Sequence, residues 1–219
     1  MNKSLYIKPV LELSPSEYSK TEHEYPNGSS IEYPNEWNQY WLKNLSESGI
    51  DDIVPCIKGQ FFAELSRISD STLEIILNTQ LEETDLNSED EICALEGGLT
   101  VFFDDIPLIY PQCCSSLSDY KNWLETLEDK PTTWKQIWIG HPMIYVKISN
   151  NKLEFSELTE ANSPKDKAEF EVDLKEFSNQ IINTIDQIKS FQIRVEKILK
   201  NGNYKRPQRL ADILVNNTQ

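Results

Sequence analysis

Nucleophilic, acid–base or metal chemistry in this chain must draw on a short set of side chains: two histidines, His23 and His141, and four cysteines, Cys56, Cys93, Cys113 and Cys114. A Ser-His-Asp or Cys-His arrangement needs one of the two histidines as its base. His23 stands in the acidic, turn-rich stretch Thr21-Glu-His-Glu-Tyr25, where an exposed side chain is the expectation. His141 is the sharper candidate, because it sits in a Gly-His-Pro turn at a strand end among several aromatics; a turn histidine more often caps backbone groups than does chemistry. Cys113, Cys114 and His141, with Cys56 or Cys93 as a fourth ligand, form the one metal set that can be drawn. It lacks the CxxC spacing that lets two thiolates turn toward one ion. The reading is therefore no metal, no cofactor, and cysteines that serve as small buried apolar residues. Gly97-Gly98 lacks the GxGxxG or GxxxxGK[ST] context of a phosphate loop, and carboxylates are too numerous for any pair to be singled out as a glycosidase couple. No catalytic residue is assigned.

Charge is the stronger signal. The 219 residues carry a net −15, unevenly spread: from Lys189 onward there are seven Lys/Arg against two Asp/Glu, which leaves −20 on the preceding 188 residues. Such a body repels nucleic-acid phosphates and anionic lipid and favours a basic protein partner, or only solubility. Residues 82–96 hold seven carboxylates and no basic residue. Glu82, Glu83, Asp85, Glu89, Asp90 and Glu91 are taken as the candidate binding surface, since their fields add locally. No apolar run approaches the roughly 18 residues of a membrane span, and the first residues have no signal-peptide core. A cytoplasmic protein with reduced thiols and no membrane partner is expected, and the pattern leaves the oligomeric state open.

The elements that would position these residues follow from periodicity. Leu5–Leu13 is β-prone, with Pro9 demoting it to an edge strand or two short pieces. Residues 14–33 read as loop with at most one short helix. Trp37, Tyr40, Trp41 and Leu45 share a helical face that Asn35 could cap and Gly49 could stop. Residues 60–68 could be strand or helix, and Ser71–Thr79 reads as a strand. Residues 82–96 read as a solvated loop with at most a helical turn. Leu99–Phe103, Asp104-Asp105 and Ile106–Tyr110 make a hairpin. Ser118 could cap a helix through Leu127. Trp134–Ile139, Met143–Ile148 and Leu153–Leu158 make three antiparallel strands, the last two joined at Asn150-Asn151, residues that tolerate positive φ. Apolar residues recur every three or four positions from Asp173 to Lys200, which predicts an amphipathic helix some 27 residues long. The class is α+β, with a mostly antiparallel sheet, flanking helices and a long C-terminal amphipathic helix. The expected organisation is a single domain over 1–202 and a basic tail over 203–219, with one short helix near Leu210–Val215.

Leu95–Phe103, Tyr110–Trp123 and Trp138-Ile-Gly-His-Pro142 resemble small bacterial proteins grouped with the immunity proteins of polymorphic toxin systems. The resemblance carries no active-site pattern, so no residue takes a role from it. It implies a protein that neutralises a toxin by binding it, and an acidic body suits a basic toxin. A non-enzymatic acidic binding protein of this immunity type therefore ranks first. The alternative is a small hydrolase or metal-dependent enzyme using His141 with nearby carboxylates or cysteines.

Overall fold

A computed structural model describes residues 4–82 and 84–218. In chain order the elements are β1 (Leu5–Glu12), α1 (Pro15–Tyr18), α2 (Pro34–Glu47), β2 (Phe62–Glu64), α3 (Asp70–Leu81), β3 (Gly97–Phe103) and β4 (Ile106–Ile109). They continue as α4 (Tyr120–Asp129), β5 (Lys135–Ile137), β6 (Ile144–Ser149), β7 (Lys152–Phe155), β8 (Phe170–Asp173), α5 (Leu174–Asn201) and α6 (Pro207–Asn216). The strands form two four-stranded sheets, in the orders β2-β1-β3-β4 and β5-β6-β7-β8. The β1–β2, β3–β4, β5–β6, β6–β7 and β7–β8 pairings are antiparallel. The chain is thus an α+β protein. No helix among the described residues is long and apolar enough to cross a membrane.

The chain separates into two compact units, Met1–Pro9 with Glu96–Gln187 and Val10–Leu95 with Ile188–Gln219, so the boundary falls inside β1 and inside α5. β1 is an interior strand rather than the edge strand that Pro9 suggested. The proline is tolerated because β2 pairs only with Val10, Leu11 and Glu12. On that side the ladder begins just after the residue that has no N–H to give.

In the first unit, local turn chemistry sets the register. Asp104 and Asp105 both take positive φ (51° and 65°) between β3 and β4, as do Asn150 and Asn151 (47° and 61°) between β6 and β7. These are the left-handed pairs that tight hairpins require. The side-chain cap falls at Ser116 rather than Ser118: Ser116 and Asp119 form a reciprocal capping box on the 3-10 turn of residues 117–119, which leads into α4 with Asp119 at its N-cap. The first part of α5 buries Phe177 against Trp123 and Phe155, each at a ring-centroid distance of 5.7 Å.

The second unit holds the largest departure from the sequence reading. Ser71–Thr79 is helix, within α3, not strand. Ser69 accepts the Thr72 N–H as N-cap, and Thr72, Leu73, Ile76, Leu77 and Leu81 are the buried positions, a helical stripe. α2 begins two residues earlier than expected, with Tyr33 rather than Asn35 at the N-cap and Pro34 in the first turn, where a missing N–H costs nothing. Trp41 is fully buried, and its indole N–H donates to the Leu13 carbonyl at 2.7 Å. The later part of α5 buries Ile188, Phe191, Val195 and Leu199. Arg194 ties that part to the start of α3, donating to Asp70 and to the Leu65 and Ile68 carbonyls. Residues 203–216, read above as mostly a basic tail, include α6, whose Leu210, Ala211, Ile213, Leu214 and Val215 are at most 2% exposed.

Candidate functional site

The acidic segment and the basic residues near the chain end meet inside the second unit. Arg206 donates to Glu89 Oε1 at 2.6 Å and to the Leu86 carbonyl at 2.9 Å. Arg209 donates twice to Glu89 Oε2, at 2.9 and 2.7 Å. The Arg209 guanidinium, aided by Arg206, holds the Glu89 carboxyl below its ordinary range. The segment is also anchored below: Ile92 and Leu95 are buried, and the Leu95 N–H donates to the Leu214 carbonyl at 2.8 Å. Of the six candidate binding residues, Glu89 is thus engaged internally, and Asp85 accepts from Asn87. Glu82, Asp85, Asp90 and Glu91 are exposed; Glu83 lies outside the described residues.

A second acidic region was not picked out from the sequence. An open cleft of about 500 Å³ lies between residues 22–26 and α2, lined by Glu22, His23, Glu24, Glu36, Tyr40 and Lys43 among others. On the helix side, Glu36, Tyr40 and Lys43 are spaced four and three residues apart and so share a face. The loop side is held by one carboxylate. Glu47 accepts from the Lys20 and Thr21 amides, the Thr21 hydroxyl and His23 Nε2, the last at 2.7 Å. The Thr21 hydroxyl contributes most to holding the Glu47 carboxyl down at about 2, with the two amides and His23 adding to it against partial burial. His23 is therefore not the exposed histidine expected from its neighbours: its side chain is 12% exposed and paired.

The Tyr40 ring in this lining belongs to a cluster of aromatic side chains. Tyr25 packs on Tyr40 and Trp37 at 5.2 and 6.3 Å, and Trp37 meets Tyr40 edge-on at 5.8 Å, while Tyr25 remains 69% exposed. Trp37 donates its indole N–H to the Gly28 carbonyl at 3.1 Å. Only glycine fits there, because φ is +85° and a Cβ would lie 2.5 Å from the Tyr33 ring. Burial and the Tyr25 hydroxyl both push the Tyr40 phenol up, so it stays a neutral ring. The cleft thus sets three carboxylates, from Glu22, Glu24 and Glu36, beside the Tyr40 ring, with the exposed Lys43 on the same lining. Carboxylates and ring faces attract the same ligand class, an organic cation. The lining has no serine, threonine or cysteine.

The alternative site departs from its sequence reading. Cys113 and Cys114 are exposed rather than buried. The His141 ring meets Trp138 edge-on at 4.7 Å, with Nδ1 3.4 Å from Glu160. Backbone pairing brings Cys113 and His141 side by side. Among the described residues, however, no group of three or more His, Cys, Asp and Glu side chains is arranged to hold a metal ion. No family model matches the chain, and neither a curated protein nor a solved structure matches it significantly.

Proposed function

We propose that this chain is a non-enzymatic acidic binding protein that takes a basic side chain of a protein partner into the cleft between residues 22–26 and α2. The observation that carries this reading is the union, in one open cleft, of Glu22, Glu24 and Glu36 with the ring of Tyr40, on which Tyr25 packs. A lysine or arginine entering it would meet carboxylates for its charge and the Tyr40 ring for its stem. The net charge of −15 extends the attraction beyond the cleft. Neutralisation of a basic toxin, as the resemblance to immunity proteins implies, is the specific form of this function. The test is association kinetics with a partner captured from the native host at low ionic strength. The triple variant Glu22→Gln, Glu24→Gln, Glu36→Gln should slow association by about tenfold at low salt and flatten its salt dependence. An association rate indifferent to these three changes would overturn the assignment of this cleft.

A further inference from the structure

The first unit contains a turn whose side chains the cleft does not use. The Ser115 N–H donates to the Gln112 carbonyl at 3.1 Å, which places Cys113 and Cys114 at the two centres of a β-turn. Cys114 has φ +68°, at a position where turns of this kind favour glycine or asparagine. The turn is held from outside: the Gln112 N–H donates to the Ile139 carbonyl at 2.7 Å, and the His141 N–H donates to the Cys113 carbonyl at 2.9 Å. Gly140 permits that approach, since a Cβ there would lie 2.4 Å from the carbonyl oxygens of both Gln112 and Cys113. The anchored turn presents two exposed thiols with their sulfur atoms 3.3 Å apart.

Geometry narrows what such a pair can do. A disulfide between neighbours would have to span Cα atoms about 3.8 Å apart across a trans peptide. That is short of the roughly 4.4–6.8 Å that disulfides adopt, so the bond would be strained and readily reduced. Tetrahedral zinc, with Zn–S bonds of about 2.3 Å, sets its sulfurs about 3.8 Å apart and needs two more ligands. The described residues offer no such set. A species that takes two thiolates at a narrow bite meets the observed separation, and soft sulfur ligands select soft centres.

We propose that Cys113 and Cys114 form a dithiol site that chelates a trivalent metalloid of the arsenic class. Binding is a condensation. Each thiol proton joins one hydroxyl of a hydrated arsenical, R–As(OH)2; two As–O bonds break, two As–S bonds form, and two waters leave with no change of oxidation state.

The probe is phenylarsine oxide, added to the reduced full-length chain. One arsenical should bind per chain, and the titratable thiols should fall from four to two. A large excess of a monothiol should not remove it, whereas a dithiol should. Cys113→Ser and Cys114→Ser should each abolish the monothiol-resistant binding. The double variant Cys56→Ser, Cys93→Ser should keep it, which separates loss of the site from loss of the fold. Removal by monothiol, or resistant binding that survives either single substitution, would overturn the proposal. So would a stable disulfide between the pair in a glutathione redox buffer.

Discussion

The two acidic regions of the second unit differ in what their carboxylates face. In residues 82–91 the fold brings two arginines from about 120 positions later onto Glu89. In the cleft, Glu47 is spent on the loop's own amides and on His23, while Glu22, Glu24 and Glu36 remain along the opening. The region denser in charge is the one partly neutralised from within. Local charge density in a sequence therefore says little about which carboxylates a partner can reach. What decides it is where the fold delivers cations.

The largest test of that comparison is the helix that delivers them. Leu214 is fully buried in α6, so Leu214→Ala should destabilise the second unit by about 2 to 5 kcal/mol in a denaturant titration. A change below about 0.5 kcal/mol, the size of a surface substitution, would mean that α6 is peripheral and that the contrast between the two regions fails.

A smaller effect is expected at Glu47. Its folded-state pKa of about 2 lies below the ordinary 4.5. Its contribution is therefore fully present above about pH 4.5 and is lost as pH falls toward 2. Glu47→Gln should be less stable than the parent at neutral pH and should lose less stability between about pH 5 and pH 2.5. Parallel acid limbs for the two proteins would show that Glu47 does not hold the loop.

The smallest effect is expected at the exposed carboxylates of the first region. Replacing Glu82, Asp85, Asp90 and Glu91 with Gln or Asn should alter partner association only through net charge, by clearly less than the three cleft substitutions do. If the four changes slow association more than the three, the binding surface lies on the segment and the cleft assignment is wrong.

The sequence showed the fold most clearly where structure is decided locally. Asn150-Asn151 and Asp104-Asp105 specify their hairpins, and the apolar spacing from Leu174 to Leu199 specifies α5. It misled where composition and periodicity disagree. Residues 71–79 are rich in β-branched side chains, yet Ser69 as N-cap and the buried spacing of Leu73, Ile76 and Leu77 make them helical. Ile185 shows the same limit on a smaller scale: it belongs to the apolar series of α5 but is only half-buried, between the buried Ile181 and Ile188. The cleft was illegible because its carboxylates come from a loop and a helix, neither of them dense enough in charge to stand out. The signal that could have found it is the four-and-three spacing of Glu36, Tyr40 and Lys43 on a helix that follows Glu22-His-Glu24.

The pairing of Glu89 with Arg206 and Arg209 also has a consequence in time. The partners are 117 and 120 residues apart in the chain. At roughly 5–20 residues per second of synthesis, Arg209 is added about 6 to 24 s after Glu89. For that interval Glu89 has neither guanidinium, and the Leu95 amide lacks the Leu214 carbonyl that later receives it. The acidic segment is thus among the last parts of its unit to settle on a growing chain, and the nascent protein is locally more acidic than the finished one.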